Sequence, residues 1–159
     1  MSAASSPIVS ETDLEQIVMR AADEWKVDGR RVLVLTPDQT RTCPLDRVFR
    51  TLYRHWAGRV RGLDVMIALG THPPMTESQI CRRFGIPDGA LATAFPKTRF
   101  FNHAWNDPAA LVEVGRLDRA EIGALTGGLF ELDVAITVNR MIRDYDLLVI
   151  VGPVFPHEV

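Results

Sequence analysis

The apolar positions in the first half of the chain follow two spacings, one typical of helices and one typical of buried strands. Between Ser10 and Gly29 they recur every three or four residues, which predicts an amphipathic helix that begins at Ser10. Residues 31–35 and 63–69 are short, mostly apolar runs, and both are predicted to be buried strands. Residues 44–56, between them, show helical spacing again. This order of strand, helix and strand indicates a parallel α/β sheet.

The second half of the chain is richer in strand-like segments. Thr76 and Gln79 form a capping-box pattern that begins a short helix. The predicted strands in this half are residues 98–101, 111–117, 132–138 and 147–151. Residues 118–130 carry no clear periodicity. The predicted fold class is α/β: a mostly parallel sheet flanked by helices, Rossmann-like in its layers, with a mixed-strand second half.

The length and charge of the chain limit its class. A chain of 159 residues is enough for one domain with a sizeable core, and we expect a disordered lead-in over residues 1–9 and a single α/β domain over residues 10–159. The formal net charge of −2 and the scattered basic residues exclude the basic surface typical of a nucleic-acid-binding protein. No apolar run is long enough to span a membrane, and the first residues lack a signal-peptide pattern. A cytoplasmic protein without nucleic-acid or membrane partners is expected.

Polar motifs follow several of the strand-like runs. They are Asp38-Gln39-Thr40-Arg41, Gly70-Thr71-His72, Asn102-His103 and Pro156-His157. In open α/β sheets, ligands bind in the crevice outside the carboxyl ends of the strands. We therefore expect these motifs to contribute to one site.

The motif that begins at Asp38 has the chemistry of an anion site. It joins the end of a strand to the start of a helix, where free N–H groups favour negative charge. The planar guanidinium of Arg41 suits a carboxylate or a phosphate. The alternative is that Asp38 or Thr40 only organises the turn while Arg41 pairs with a surface acid.

The four histidines differ in the sequence that surrounds them. His72 precedes two prolines, so it lies in a stiff loop suited to a general acid/base, although a loop histidine bonded to the backbone is an equal alternative. His157 also lies in a proline-containing loop, and two opposed acid/base groups are what a racemase needs. His103 is expected to be structural, packed against aromatic residues, and His55 is expected to lie on a helix surface.

Taken together, these motifs resemble the N-terminal domain of the lactate racemase family. The resemblance covers residues 30–159. It rests on the Asp38–Arg41 motif, on Ala68 to Thr76, on Asn102-His103, on Val138-Asn139-Arg140, and on Val151-Gly152 through Pro156-His157-Glu158.

The resemblance implies a racemase or epimerase of 2-hydroxy acids. Members of this family use a nickel-pincer nucleotide derived from nicotinic acid, which takes a hydride from the α-carbon of the substrate while a histidine removes the hydroxyl proton. By motif, His72 and His157 match the two acid/base histidines, and Arg41 matches the arginine that orients the substrate. Asp38, Thr40 and Thr71 fall at the cofactor, and no residue of the chain is assigned as a metal ligand.

The chain departs from the family pattern in three places. Thr42 and Cys43 separate Arg41 from Pro44, and residues 118–131 are divergent. Family members also continue beyond the Pro-His-Glu motif to a lysine that anchors the cofactor and to a histidine that ligates nickel. We therefore expect a catalytic-type domain that is incomplete at its C-terminus and inactive alone, needing a C-terminal domain or a partner chain.

A second hypothesis remains open from the sequence. The chain is then a non-catalytic α/β module that binds a nucleotide or small anion, or a split subunit that needs a partner chain. Under either hypothesis, the side chain of the hydroxy acid is not determined by the motifs.

Overall fold

A computed structural model describes residues 9–154. The helices are α1 (Glu11–Asp23), α2 (Leu45–Trp56), α3 (Glu77–Arg83), α4 (Leu91–Ala94) and α5 (Arg119–Leu125). The strands are β1 (Arg31–Pro37), β2 (Gly62–Ala68), β3 (Phe100–Asn102), β4 (Leu111–Leu117), β5 (Val134–Asn139) and β6 (Leu147–Ile150). Short 3₁₀ turns cover Pro108–Ala110 and Arg140–Asp144. The lead-in predicted for residues 1–9 lies outside the described residues except for Val9.

Four strands form one wholly parallel sheet in the order β3-β2-β1-β6. Strands β4 and β5 pair antiparallel in a separate two-stranded sheet, with a bulge between Glu113 and Gly115. The predicted α/β class with a mostly parallel, helix-flanked sheet is thus confirmed. The antiparallel strands of the second half pair with each other and do not extend the main sheet.

Side-chain caps explain where several helices begin. Ser10 accepts a hydrogen bond from the backbone of Asp13 at the start of α1, as its sequence pattern predicts. Thr76 and Gln79 form the predicted capping box of α3. A second capping box, Asp118 with Glu121, begins α5 in the stretch where no periodicity was found. That Asp-x-x-Glu pattern was the available signal for α5.

The hydrophobic core lies on one face of the parallel sheet. Alternate strand residues point to the same side of a sheet, and Val32, Val34, Val65 and Ile67 share a core cluster with residues of α2. The ring of Phe49 is central to this cluster. It makes edge contacts with Phe84, Phe95 and Phe100 at centroid distances of 5.1, 5.1 and 6.1 Å.

A buried carboxylate on β2 links this strand to the loops that precede β3 and β6. Asp64 of β2 accepts hydrogen bonds from Arg99 Nη2 at 2.6 Å and from the Tyr145 hydroxyl at 2.7 Å. Arg99 precedes β3 and Tyr145 precedes β6. Among the described residues, no helix is long and apolar enough to cross a membrane.

Candidate active site

The main cleft lies at the carboxyl ends of three neighbouring strands. The chain leaves β1 toward β2 on one side, while β6 enters beside β1 on the other, so the strand order diverges at β1. Ligands of open α/β sheets bind at such a point. The cleft has a volume of about 580 Å³. It is lined by residues 35–38, Thr40, Arg41, residues 68–72 and residues 150–152.

Asp38 is a buried carboxylate directly after β1, and its side chain is only 6% exposed. Its Oδ1 atom accepts two hydrogen bonds from Thr40, one from the backbone N–H at 3.0 Å and one from the hydroxyl at 2.6 Å. Burial by itself raises the pKa of Asp38, but the hydrogen bonds from Thr40 and from His72 outweigh it, so the pKa lies below its ordinary value. Asp38 is therefore ionised at neutral pH.

The second oxygen of Asp38 faces His72. The distance from Oδ2 to His72 Nδ1 is 2.5 Å, although the two residues lie 34 positions apart. The loop that carries His72 turns at Gly70, which has a φ of +59°, and the His72 N–H donates to the carbonyl of Leu69 at 3.0 Å. Pro73 and Pro74 then stiffen the loop. The imidazole stays 50% exposed and lines the main cleft.

This pairing determines the tautomer of the neutral His72 ring. An ionised carboxylate only accepts hydrogen bonds, so the neutral ring carries its proton on Nδ1 and donates it to Asp38. The Nε2 lone pair is then available to take a proton. A base oriented by a buried carboxylate is the arrangement found in many acid/base sites.

Thr40 does organise the turn after β1, as one alternative for this motif predicted, and the same contacts hold Asp38 toward His72. Arg41 and Thr71 line the same cleft and are both exposed. The structure thus brings together Asp38, Thr40, Arg41, Thr71 and His72 from two loops. An anion in this cleft would lie next to a guanidinium and beside a fixed imidazole.

The fourth motif, Pro156-His157, lies outside the described residues, and its role stays a prediction. His55 lies on α2 and is half-buried rather than fully on the surface as expected, with Nε2 at 2.6 Å from Asp23 Oδ1. Within residues 9–154 there is no group of three or more His, Cys, Asp or Glu side chains placed to hold a metal ion. Cys43 and Cys81 are both free thiols.

Asn102 and His103 line a second cavity of about 320 Å³ that shares Leu69, Thr71 and His72 with the main cleft. The Asn102 amide bonds both backbone groups of Met75, each at 2.9 Å, and so holds the His72 loop against β3. His103, expected to be structural, has its Nδ1 atom 3.0 Å from Asn139 Nδ2. It therefore has a polar partner in Asn139, and it lines the second cavity together with Trp105.

The sequence motifs missed two contributions to these cavities. Asn139 was noted only as part of a three-residue match, yet its buried side chain is the partner of His103. Its signal was a polar residue at the end of an apolar strand, the same signal that marked Asp38. Leu35 and Ile150, which pair in register on β1 and β6, supply apolar surface to the main cleft. They carry no distinguishing signal because they resemble other strand residues.

Comparisons with known proteins agree with this architecture. A crystal structure of a Thermotoga maritima protein, a structural-genomics target, superimposes on 89% of this chain with a TM-score of 0.73 and 26% sequence identity. The chain spans 33% of that protein's length. Among curated protein sequences, none matches the chain. The family model described as the lactate racemase N-terminal domain matches residues 8–159. This match covers nearly the whole chain, which therefore belongs to the lactate racemase N-terminal domain family.

Proposed function

We propose that this chain is the N-terminal part of a lactate-racemase-like enzyme that interconverts the enantiomers of a 2-hydroxy acid. The observation that carries the proposal is the contact between the buried Asp38 carboxylate and His72 Nδ1 at the mouth of the main cleft. Inversion by way of a 2-keto acid requires a group that removes and returns the hydroxyl proton. The Nε2 atom of His72 is the candidate for that group.

Asp38 acts through His72. As Nε2 takes the substrate proton, the ring becomes positive, and the adjacent carboxylate stabilises that charge. The hydrogen bonds from Thr40 hold Asp38 in place, so the carboxylate needs no rearrangement during the transfer. The imidazole is 50% exposed and lines the main cleft, so a bound substrate can reach it.

Arg41 is proposed to bind the carboxylate that every 2-hydroxy acid carries. Its guanidinium is always charged and forms two parallel hydrogen bonds with a carboxylate. Arg41 and His72 line the same cleft, so one small acid can contact both.

The main cleft is proposed to hold the family's nickel-pincer nucleotide. A volume of about 580 Å³ is within the roughly 300–1,000 Å³ of small-molecule and cofactor sites. Thr71, Thr40 and Asp38 are the proposed cofactor-facing residues, with Asp38 and Thr40 also holding His72. When bound, the cofactor supplies a hydride acceptor.

His157 is proposed as the second acid/base, which serves the opposite enantiomer. The proposal rests on its motif and on the chemical need for a proton acceptor on each side of the inverted carbon. The remaining polypeptide that family members carry, or a partner chain, is proposed to close the site.

The alternative, a module that only binds a nucleotide or an anion, explains fewer of the contacts. Binding of an anion does not require the contact between Asp38 and His72. A proton-transfer site does gain from it, because the carboxylate orients the base.

The test is racemisation by the full-length, cofactor-loaded protein, followed by chiral chromatography of a 2-hydroxy acid. We expect His72→Gln to lower the rate by roughly 10²- to 10⁴-fold, the usual contribution of general acid–base catalysis. Asp38→Asn should also lower it by at least about a hundredfold, because the amide can donate to Nδ1 and favour the wrong tautomer.

His55→Gln is the matched control, because His55 also pairs with an aspartate but lies away from the cleft. It should racemise at the rate of the unmodified protein. Thermal melts of all variants separate loss of chemistry from loss of folding. Unchanged racemisation by a folded His72→Gln protein would rule out the assignment.

A further inference from the structure

The second cavity, bounded by residues 69–74 and 102–106, has no role in the proton transfer proposed above. It has a volume of about 320 Å³ and adjoins the main cleft along Thr71 and His72. One water molecule occupies about 30 Å³ of liquid, so the space far exceeds what a methyl substituent fills. Any substrate held between Arg41 and His72 has this cavity beside it.

The walls of the cavity are held in place before any ligand binds. The Asn102 amide bonds Met75 in both directions, which fastens the loop of Pro73 and Pro74 to β3. The backbone N–H of His103 continues the strand pairing by donating to the carbonyl of Ile67 at 3.0 Å. Walls that are fixed in this way favour a specific ligand, because little conformational entropy is lost on binding.

Asn139 determines which nitrogen of the neutral His103 ring carries the proton. The Oδ1 atom of Asn139 accepts from the backbone N–H of Met141 at 3.0 Å, so its Nδ2 atom must be the group that faces His103 Nδ1. An amide N–H only donates, so Nδ1 accepts, and the ring proton is on Nε2. Among residues 9–154, this Nε2–H has no hydrogen-bond partner.

His72 and His103 therefore have opposite roles although both line the cavity. The aspartate partner of His72 leaves its Nε2 as an acceptor, and the asparagine partner of His103 leaves its Nε2 as a donor. Pro73, Pro74 and Trp105 line the same cavity and supply apolar surface. The combination suits an aliphatic chain that ends in an acceptor oxygen.

We infer that this cavity receives the substituent on C2 of the substrate, and that His103 Nε2–H donates to an acceptor oxygen at its end. The inference rests on the proposed racemase function and names its substrate class: 2-hydroxy acids whose substituent ends in a carboxylate or a carboxamide. His103 is a specificity-determining residue in this assignment, and it moves no proton.

The experiment compares two acids of equal chain length, 2-hydroxysuccinate and 2-hydroxybutyrate, with the full-length, cofactor-loaded protein. We expect His103→Leu to lower kcat/KM for 2-hydroxysuccinate by roughly tenfold, the effect of one lost hydrogen bond, and mainly through KM. The value for 2-hydroxybutyrate should stay within about twofold. His103→Gln, which returns an N–H donor near the Nε2 position, should restore most of the loss.

A second measurement keeps this inference separate from the proposed function. Titration of each acid into the same protein, followed by the ¹⁵N resonance of His103 Nε2, should shift that resonance with 2-hydroxysuccinate and leave it unchanged with 2-hydroxybutyrate. If neither acid is racemised, the proposed function fails, and this resonance alone decides the inference. Racemisation with the same ratio between the two acids in His103→Leu, or a resonance that neither acid moves, would overturn the inference.

Discussion

At the scale of single residues, the partner atom of a side chain decides its chemistry. Asp38 carries a carboxylate and Asn139 carries an amide. The carboxylate leaves His72 with a free acceptor nitrogen, whereas the amide leaves His103 with a free N–H donor. The same rule applies to the buried Asp64. Burial raises its pKa, but hydrogen bonds from Arg99 and Tyr145 outweigh this effect and lower the pKa overall.

The Tyr145 hydroxyl gives a prediction at this scale. Burial and the bond to Asp64 raise the pKa of Tyr145 to about 12, above the ordinary value of about 10. A raised pKa means that the bond stabilises the fold fully below pH 10 and is lost as the pH rises toward 12. We expect Tyr145→Phe to lower the free energy of unfolding by roughly 1.5 kcal/mol near neutral pH, the value of a hydrogen bond to a charged group. The difference should shrink in the alkaline window.

Urea unfolding at a series of pH values measures this difference. Tyr53→Phe is the control, because the Tyr53 hydroxyl makes no hydrogen bond within residues 9–154. A gap between Tyr145→Phe and the unmodified protein that widens above pH 10 would contradict the assignment.

At the scale of elements, the residues at the ends of the helices determine where each helix begins or stops. Helix α3 ends in a turn in which the N–H of Gly85 donates to the carbonyl of Arg82, and the N–H of Ile86 donates to that of Cys81. This is the Schellman arrangement, and it requires a residue with positive φ. Gly85 meets that requirement with a φ of +63°. Phe84, the preceding residue, is buried, and its ring contacts Phe49 of α2 at a centroid distance of 5.1 Å.

Two glycines near this turn give a matched pair for mutation. A Cβ on Gly85 would lie 3.0 Å from the Cβ of Asp46, whereas a Cβ on Gly89, with a φ of +72°, would meet nothing within 4 Å. We expect Gly89→Ala to cost roughly 1 kcal/mol of stability from backbone strain alone. Gly85→Ala should cost clearly more, because α2 must also shift. If urea unfolding shows that both variants lose the same free energy of unfolding, the contact with Asp46 adds no destabilisation.

At the scale of the whole molecule, burial is unevenly distributed. Strands β1 and β2 are buried along most of their length, whereas Asn139 is the only buried residue of β4 and β5. Several large apolar side chains around the antiparallel sheet are exposed, among them Leu125, Leu129 and Phe130. The parallel sheet that carries the main cleft is therefore the stable part of the described fold.

Hydrogen exchange should reveal this difference. Segments with few buried apolar contacts open without global unfolding, so amides of β4 and β5 should exchange well before those of β1 and β2. Native-state exchange followed by mass spectrometry measures the order, and the main-sheet amides should exchange only with global unfolding. Equal protection of the two sheets would show that they unfold as one unit.

The sequence by itself determined the elements and the motifs of this protein. Apolar periodicity located β1, α2 and β2, and short cap patterns marked α1 and α3, because these features depend on residues a few positions apart. The motifs around Asp38 and His72 indicated a site at the strand ends for the same reason. Helix α5 was missed because the only signal for it in this divergent stretch was the Asp118–Glu121 capping pattern.

Only the tertiary structure decided which of these groups meet. The strand order that inserts β6 beside β1, the contact of Asp38 with His72, and the contact of Asn139 with His103 join residues far apart in the chain. Such contacts depend on the strand order and register of the sheet, which patterns of neighbouring residues do not determine. His72 and His103 therefore become an acceptor and a donor only once the chain has folded.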